Sequence, residues 1–463
     1  MPDMAGAPTR SSSSAPGSIT DITNRMERLP FSSWQVKARV LIGTATFFDA
    51  FDALAIAQVL PVLTPLWGLS AAQVGALISI GYFGQLLGAL LFSWIAERRG
   101  RVFAMVLTIA TFTTFSVACA LSWNFESLLA FRTLQGLGLG GQVPIAAVFI
   151  SEITKAHGRG RFILLYELIL SVGVVAAGLV GFWVVPHLGW EFMFLVGALP
   201  LLIVPVLLRW LPESPRWLAG AGRNADADEA MTRIETKVEK AIGTELPPIG
   251  HHTPPTQRTK SRWTEIFRPP YLRRTLVVWA IWFGAYMVYY GISTWLPTLY
   301  RTVFKLPLEV SLQYGLISNC IGLAGAALCA LTIDVVGRRI WFTLALSGSA
   351  VFQILLAMSG LDQPSDLMIF GSGAYFFAAA AAIGVYLYTP ELYPTRVRAL
   401  GVGTATAWLR LASMIGPIVI GTFITYGLSI VFAVFGTIAL LVAVVVAVFA
   451  LETKDKVLED LSP

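Results

Sequence analysis

Two acidic residues stand in an otherwise apolar stretch near the start of the chain. The sequence TFFDAFDALA, residues 46–55, carries Asp49 and Asp52, and no Lys or Arg occurs between Val40 and Ala96. Residues three apart lie on one face of a helix, so the two carboxylates share a face. A carboxylate in apolar surroundings needs water or a cation beside it, and it can take up a proton. We interpret the pair as a proton site, with local pairing at a helix end as the alternative for each acid.

A single arginine, Arg410, lies inside the apolar sequence TATAWLRLASMIG. Its planar guanidinium carries five N–H donors and suits a bidentate contact with a carboxylate. We therefore interpret Arg410 as a binding residue for an anionic substrate. A structural ion pair with an internal acid is the alternative.

Aromatic side chains crowd the apolar sequence WAIWFGAYMVYYGISTW, residues 279–295. Tyr286, Tyr289 and Tyr290 fall in its middle, where a buried hydroxyl needs a partner and where the rings can enclose a flat molecule. Packing against helices or lipid is the alternative explanation of these rings. Three further side chains are candidate substrate contacts: Gln142, Asn319 and Trp408.

The composition indicates that these residues belong to a membrane protein. Of 463 residues, 56% are hydrophobic and only 13% are charged, and the mean hydropathy is +0.70. A helix needs about 20 mostly apolar residues to cross a bilayer. The sequence therefore predicts an all-α protein in a lipid bilayer. We count twelve such segments, near residues 40–65, 71–95, 102–122, 127–150, 162–186, 190–210, 275–299, 309–333, 340–360, 367–390, 400–425 and 428–450.

Few residues suit metal or enzyme chemistry. The three cysteines, Cys119, Cys320 and Cys329, lie far apart in apolar segments, and the four histidines form no metal-binding or catalytic constellation. The net charge of +6 is explained by membrane topology without nucleic acid. We predict no cofactor, no metal site, no nucleic-acid partner and no enzymatic activity.

Basic residues collect in four short loops, whereas the loops between them hold only Arg301 and Lys305. Basic loops lie on the cytoplasmic side, which predicts that both termini are cytoplasmic and that the protein is a multi-pass protein of the inner membrane. We expect a monomer. The predicted organisation is a cytoplasmic tail over 1–38, a six-helix half over 39–210, a cytoplasmic central loop with short amphipathic helices over 211–274, a second six-helix half over 275–450 and a cytoplasmic tail over 451–463.

The two halves carry the same landmarks. ERRGR at residues 97–101 recurs as DVVGRR at residues 334–339, an offset of 237 residues. A Glu followed seven positions later by Arg begins at Glu152 and again at Glu391, an offset of 239 residues. Nearly equal offsets indicate duplicated halves, a construction common in transporters.

These loop motifs resemble those of the major facilitator superfamily. Its pattern of a small residue, three positions, an acid, a base, any residue, Gly and Arg reads here as SWIAERRGR, residues 93–101, with Ser and Glu replacing the usual Gly and Asp. The second copy, ALTIDVVGR at 330–338, has Val335 where a base is expected. The sequence RTLQGLGLGG matches the Arg-x-x-Gln-Gly pattern of the fourth span. The resemblance covers residues 30 to 455 and implies the twelve-helix fold of that superfamily.

More specific sequences narrow the resemblance. PESPRWL at 212–218, ELYPTRVRALG at 391–401 and LETKDKVLEDL at 451–461 are similar to signatures of sugar porters, organic ion transporters and synaptic vesicle glycoprotein 2. DAFD resembles the Asp-Gly-aromatic-Asp motif of aromatic acid:proton symporters, with Ala50 replacing Gly. YYGIS at 289–293 resembles the seventh span of organic ion transporters. Together these features resemble bacterial metabolite:proton symporters that include niacin permeases.

The resemblance implies roles for further residues. In sugar:proton symporters the arginine that matches Arg132 pairs with the acid that matches Asp52, although Arg132 can also reach water at a helix end. Glu167 replaces a sugar-binding glutamine, which suggests a second proton site, a substrate contact or the partner of Arg410, and a purely structural role near the cytoplasmic end of the span is the alternative. Charged residues at loop ends are expected to latch helices and to release them as the halves rock. These gating residues are Glu97, Arg98, Arg101, Glu152, Arg159, Asp334, Arg338, Glu391 and Arg398.

The predicted function is that of a proton-coupled symporter importing a small organic acid, with an aromatic monocarboxylate such as nicotinate as the first choice. In this hypothesis Arg410 holds the carboxylate, the tyrosines of 279–295 stack the ring and Asp52 takes the proton. The nearest alternative is a sugar or organic-cation carrier of the same fold. A drug:proton antiporter is disfavoured because SVGVVAAGLVG in the fifth span lacks proline.

Overall fold

The computed structural model describes residues 15–153, 159–249, 263–361 and 363–454, without the side chains of residues 159–167, 395, 396 and 399. Every regular element in these ranges is helical. Twelve helical stretches of the described residues, some made of consecutive shorter helices, are long and apolar enough to cross a membrane. Helices dominate because a backbone in lipid must satisfy its own N–H and C=O groups. The prediction of an all-α membrane protein is confirmed.

The helices before the central loop form the first half. They are α1 (Ile19–Arg28), α2 (Ser33–Trp67), α3 (Ala71–Arg99), α4 (Arg101–Ala120), α5 (Phe125–Glu152), α6 (Arg159–Leu188), α7 (Glu191–Gly197), a 3₁₀ turn (Leu199–Ile203) and α8 (Val204–Trp210). The sixth span is broken into these last three pieces, which contain Pro200 and Pro205. Proline cannot donate the backbone hydrogen bond that would continue the preceding helix.

The remaining helices form the central loop and the second half. They are α9 (Pro215–Gly220), α10 (Asn224–Ile242), a 3₁₀ turn (Trp263–Phe267), α11 (Tyr271–Thr302), α12 (Leu308–Val336), α13 (Arg338–Met358), α14 (Pro364–Asp366), a π turn (Leu367–Gly371), α15 (Ser372–Glu391), α16 (Thr395–Phe423), a 3₁₀ turn (Ile424–Tyr426) and α17 (Leu428–Phe449).

The first span begins earlier than its hydropathy suggests. Helix α2 starts at Ser33, six residues before the predicted boundary at 39, because Ser32 and Gln35 form a reciprocal capping box at its N-terminus. The helix therefore includes polar residues that a hydropathy count excludes. It stops at Gly68, which adopts a left-handed conformation with φ +60°.

The segment before the first span is also helical and is anchored to the central loop. Helix α1 packs Ile22 and Met26 against apolar residues of α9 and α10. Glu235 of α10 accepts hydrogen bonds from Arg25 and Arg28, with N–O distances of 2.7 and 2.6 Å. These contacts join α1, α9 and α10 into a small assembly outside the membrane spans.

Glycine allows close packing inside each half. In the first half α3 lies on α5, and a Cβ atom on Gly88 would stand 1.9 Å from the main-chain oxygen of Leu137. In the second half α12 lies on α15 in the same way, with Gly325 against the main chain of Phe376. Small residues let membrane helices approach closely enough for dispersion forces to hold them.

Between the halves, α3 contacts α16, α6 contacts α12 and α2 contacts α11.

We predict that Gly88→Ala destabilises the protein by about 1–3 kcal/mol, because the added methyl group collides with main-chain atoms that cannot move alone. Thermal unfolding of the purified protein in detergent measures the effect. Gly403→Ala is the matched control, since nothing lies within 4 Å of a Cβ at that position. Equal melting temperatures for the two variants would contradict the packing described for α3 and α5.

Candidate functional site

A cavity of about 80 Å³ lies between the two halves. Its lining comes from α2, α3, α5 and α6 of the first half and from α11, α15 and α16 of the second. That volume holds several water molecules, since one water needs about 10–15 Å³ on this measure. A site between two repeated halves is the usual position for a transported solute.

Two opposite charges face this cavity from opposite halves. Asp49 of α2 and Arg410 of α16 both line it, and Arg410 is the cation that acts on the Asp49 carboxylate. Arg410 donates a hydrogen bond to the side-chain oxygen of Gln85 on α3. The Oδ1 atom of Asp49 is buried without a hydrogen-bond partner. Among the described residues, the cavity is thus lined by one guanidinium, that of Arg410, and by one carboxylate, that of Asp49, whose Oδ1 atom has no hydrogen-bond partner.

The three tyrosines predicted from the seventh span all line the cavity. The rings of Tyr286 and Tyr290 stack with centroids 5.8 Å apart, and Tyr289 meets Tyr290 edge to face at 5.0 Å. The Tyr286 hydroxyl donates to the main-chain oxygen of Ala382 at 3.0 Å. This hydrogen bond fixes one ring of the aromatic wall of the cavity.

Asp52 lies apart from the cavity, in a cluster inside the first half. Its side chain is 0% exposed, and Oδ1 accepts hydrogen bonds from Ser116 and from Gln135, each at 3.3 Å. A Cβ atom on Gly197 would stand 1.9 Å from this same oxygen, so α7 closes over the carboxylate. Oδ2 has no hydrogen-bond partner. Asp49 and Asp52 share a helix, but only Asp49 reaches the cavity.

Arg132 belongs to the same buried cluster as Asp52. Its Nη1 donates to the main-chain oxygen of Asp52 at 3.3 Å and to the side chain of Gln135 at 2.7 Å. Among the described residues, Arg132 makes no ion pair with a carboxylate within 4.0 Å. Gln135 therefore links Arg132 to the Asp52 side chain, and the direct pair implied by the resemblance stays a prediction.

Three of the predicted substrate contacts lie outside the cavity in this structure. Gln142 is 0% exposed and accepts a hydrogen bond from Thr108 of α4 at 2.7 Å. Asn319 of α12 packs beside Gly178 of α6. Trp408 of α16 packs against the ring of Trp279 on α11, with the ring centroids 5.3 Å apart. Their side chains face neighbouring helices. The rotation of each helix about its axis decides this, and the sequence does not reveal that rotation.

The side chains of two predicted site residues, Arg159 and Glu167, lie outside the part of the structure that is described. The backbone of Glu167 and Arg159 belongs to α6. Leu170 and Ser171, which follow Glu167 on the same helix, line the cavity. The roles predicted for Glu167 and Arg159 stay predictions.

The cavity is closed on the side away from the basic loops. Beyond Gln85 along α3, Tyr82 meets Tyr290 of the other half with ring centroids 4.8 Å apart. One turn further, Ser79 donates to the main-chain oxygen of Met414 at 2.7 Å. Sequence reasoning missed Ser79, Tyr82 and Gln85, although their spacing of three residues places polar groups along one face of α3.

The first loop network joins the ends of α3, α4 and α5. Nη2 of Arg101 lies 3.0 Å from carboxylate oxygens of both Glu97 and Glu152. Glu213 accepts the first two N–H groups of α4 at 2.8 and 3.1 Å. Gly100 has φ +107°, and a Cβ there would stand 2.3 Å from the Glu213 carboxylate, so glycine is required.

The second half repeats this network residue by residue. Nη2 of Arg338 lies 2.8 Å from Asp334 and 2.9 Å from Glu391. Glu452 accepts the first two N–H groups of α13 at 2.9 and 3.0 Å, beside Gly337 with φ +95°. The duplication indicated by the sequence offsets thus extends to the contacts themselves.

Two predicted gating residues make other contacts. The guanidinium of Arg98 lies 4.2 Å above the ring of Trp94, a cation–π geometry. Arg398 donates to the main-chain oxygen of Tyr393 at 3.3 Å. Glu391 binds the guanidinium of Arg338.

Residues 18–463 match the family described as sugar (and other) transporter. The chain belongs to this family of the major facilitator superfamily. It is therefore a membrane transporter of small molecules and not an enzyme. The identification from the loop motifs, including the resemblance to niacin permeases, is confirmed.

Two curated relatives and one solved structure illustrate the similarity. The niacin transporter NiaP of Acinetobacter baylyi is 34% identical over 445 residues, covering 95% of this chain and 99% of that protein. The synaptic vesicle 2-related protein of Rattus norvegicus is 26% identical over 460 residues, covering 95% and 82%. A partially occluded inward-open structure of the xylose transporter XylE from E. coli has a TM-score of 0.71 at 18% identity, covering 92% and 100%. The last comparison establishes the fold.

We predict that Glu452→Gln lowers stability by about 1 kcal/mol or less near neutral pH, because an anion at a helix N-terminus is lost. Burial opposes ionisation of Glu452, but donated backbone N–H groups outweigh it and lower its pKa. A lowered pKa means that the stabilisation is present above the unfolded pKa of about 4.5 and is lost as pH falls through the folded pKa. Thermal unfolding between pH 3 and pH 7 should show the two proteins converging at the acidic end, and a constant difference would contradict this role.

Proposed function

We propose that the chain is a proton-coupled symporter that imports a small organic acid, with nicotinate as the first substrate to test. The observation that carries the proposal is the position of Arg410 in the cavity between the halves, beside three tyrosines. A guanidinium provides paired donors for a carboxylate, and the tyrosines provide surfaces for a flat ring. The 34% identity to a niacin transporter supports the same class of substrate.

In this proposal, substrate binding replaces one hydrogen bond between the two halves. The substrate carboxylate takes the place of the Gln85 side-chain oxygen that Arg410 now binds. An ionised acceptor forms stronger hydrogen bonds than a neutral amide, so the exchange favours the substrate. The ring lies against Tyr286, Tyr289 and Tyr290, which line the same cavity.

Proton coupling in this proposal uses the acids of α2. Asp49 lines the cavity, and Asp52 binds Ser116 of α4 and Gln135 of α5. Protonation of either acid removes a buried negative charge and changes the contacts of α2 with its neighbours. The halves then rock about the cavity, with the two loop networks opening and closing at their ends.

The orientation that we propose follows from charge. The four basic loops and both termini face the cytoplasm, and the closed side of the cavity faces outward. We place the protein in the inner membrane as a monomer. In this orientation the described conformation is sealed toward the outside by Ser79, Tyr82 and their partners.

One observation favours a second candidate, an organic cation. The Asp49 carboxylate lines the cavity with Oδ1 unbonded, and such an oxygen suits a cationic ligand. Arg410 in the same cavity opposes that ligand by repulsion. A thermal-shift screen of the purified protein with carboxylates, sugars and amines separates these substrate classes, because a ligand stabilises the state that it binds.

We predict that proteoliposomes accumulate radiolabelled nicotinate when the outside is made acidic. A proton that moves with the substrate lets the pH gradient drive uptake above equilibrium. A protonophore should remove the accumulation while leaving equilibration intact. Uptake that is identical with and without the gradient would refute proton coupling while leaving the substrate proposal in place.

We predict that Arg410→Ala weakens nicotinate binding by at least about 30-fold, the effect of about 2 kcal/mol expected when one partner of a buried charge pair is removed. Arg410→Lys should recover part of the affinity, because it restores the charge without the two-pronged geometry. Isothermal titration calorimetry measures both. The control is Arg223→Ala, whose guanidinium pairs with Asp226 on an exposed surface of α10. Unchanged binding by Arg410→Ala would overturn the anion-binding role.

A further inference from the structure

Asp49 and Asp52 have different surroundings, although they lie one turn apart on α2. Asp49 is 6% exposed, lines the cavity and has an unbonded Oδ1. Asp52 is enclosed by α4, α5 and α7, where Ser116 and Gln135 donate to it. Only Asp49 shares a cavity with Arg410. The acid that can sense a bound anion directly is therefore Asp49.

We propose that the carboxylates of Asp49 and of the substrate compete for Arg410, so that the anion binds tightly only when Asp49 carries a proton. This inference rests on the proposed function and assigns its proton to a residue. The coupling is then direct: the cavity accepts one negative charge opposite Arg410, and the substrate supplies it only after the charge of Asp49 is neutralised. The proton and the anion enter the cavity as a neutral pair.

Among the described residues, one positive and one negative side chain line the cavity. Arg410 is the one guanidinium among the described lining residues, and Asp49 is the one carboxylate. Adding a substrate anion beside an ionised Asp49 would place two negative charges near one positive charge, and two like charges in one largely buried site disfavour each other's ionised form. Removing the charge of Asp49 restores the balance.

Protonation also changes the hydrogen-bonding role of Asp49. An ionised carboxylate is only an acceptor, whereas a protonated carboxyl has an O–H donor. Hydrogen bonds from O–H to an ionised oxygen are short and strong. The Oδ1 atom of Asp49 has no hydrogen-bond partner among the described residues, so the substrate carboxylate meets no competing protein group at that position. Protonation therefore ends the repulsion between Asp49 and the substrate carboxylate and lets Asp49 donate a hydrogen bond to it.

The other titratable groups near Asp49 keep their charge over the relevant pH range. Arg410 approaches from α16, and Tyr286, Tyr289, Tyr290 and Tyr386 line the cavity from α11 and α15. Arginine stays protonated and phenols stay neutral near pH 7. The described lining residues of α3, α5 and α6 carry no charge, and the side chain of Glu167 on α6 lies outside the described residues. Asp52 on the same helix is the other candidate for the residue that takes up the proton.

The test measures nicotinate binding to the purified full-length protein by calorimetry from pH 6 to pH 9. If one proton binds with each anion, the Kd for nicotinate should rise about tenfold for each unit by which the pH increases, once Asp49 is ionised. Repeating the titration in buffers of different ionisation enthalpy should show the uptake of about one proton per bound anion. Asp49→Asn should bind with a Kd that is constant across this range and with no proton uptake.

Two comparison variants identify the residue responsible. Glu126→Gln removes an exposed acid at the start of α5 and should leave the pH slope as it is in the wild type. Asp52→Asn should keep both the slope and the proton uptake. If Asp52→Asn loses them and Asp49→Asn keeps them, the proton belongs to Asp52 and the inference is overturned.

The wild-type data alone can also overturn the inference, even if Asp49→Asn fails to fold. Binding that requires Arg410 but shows no pH slope and no proton uptake would leave the substrate proposal standing and refute the competition. If nicotinate and other carboxylates fail to bind at every pH while an amine binds, the proposed function fails and this inference fails with it. The two failures are therefore distinguishable.

Discussion

The low polarity of the membrane interior is the constraint on which the structure depends. A charge in that environment is costly unless it meets a partner or water, so each buried charge dictates how its helix is rotated. Arg132 and Asp52 face the interior of the first half and bind Gln135, and Asp49 and Arg410 face the cavity between the halves. Four charged residues thus fix the inner faces of α2, α5 and α16. The apolar residues on the other faces of these helices face lipid or pack against neighbouring helices.

The same constraint acts at the ends of the helices, where it produces the repeated loop networks. Helices α4 and α13 each begin immediately after a glycine with positive φ, and their first N–H groups would lack partners in a tight turn. Glu213 and Glu452 provide those partners from the chain segments that follow the sixth and twelfth spans. Each network therefore joins the last part of a half to its middle. A half can then move as one body, which is what rocking about a central cavity requires.

Much of this fold could be predicted from the sequence, because hydropathy, loop charge and repeat offsets are properties of the chain alone. The twelve spans and the duplicated halves follow from such signals. Residue type alone suggested Arg410 and the tyrosines of α11 as substrate contacts, but the sequence favoured Asp52 for the proton and did not reveal that Asp49, and not Asp52, lines the cavity. The break in the sixth span and the early start of α2 depend on proline and on capping, which a hydropathy count does not include. The inward turn of Gln142 toward Thr108 and the contact of Gln85 with Arg410 depend on helix rotation and on distant chain segments. Residues 325 positions apart cannot be paired from local patterns.

The contact of Gln85 with Arg410 ties the two halves together at the cavity. Gln85 belongs to the half that carries Asp49, and Arg410 belongs to the other, so the hydrogen bond crosses the plane along which the halves move. A substrate anion that takes Arg410 from Gln85 removes one tie between the halves and introduces a charge that Asp49 must accommodate. Because Ser79 and Tyr82 extend the same face of α3 to the closed side of the cavity, away from the basic loops, a change at Gln85 is transmitted along a rigid helix. In the proposed mechanism, helix α3 is the element through which occupancy of the cavity can influence whether that side opens.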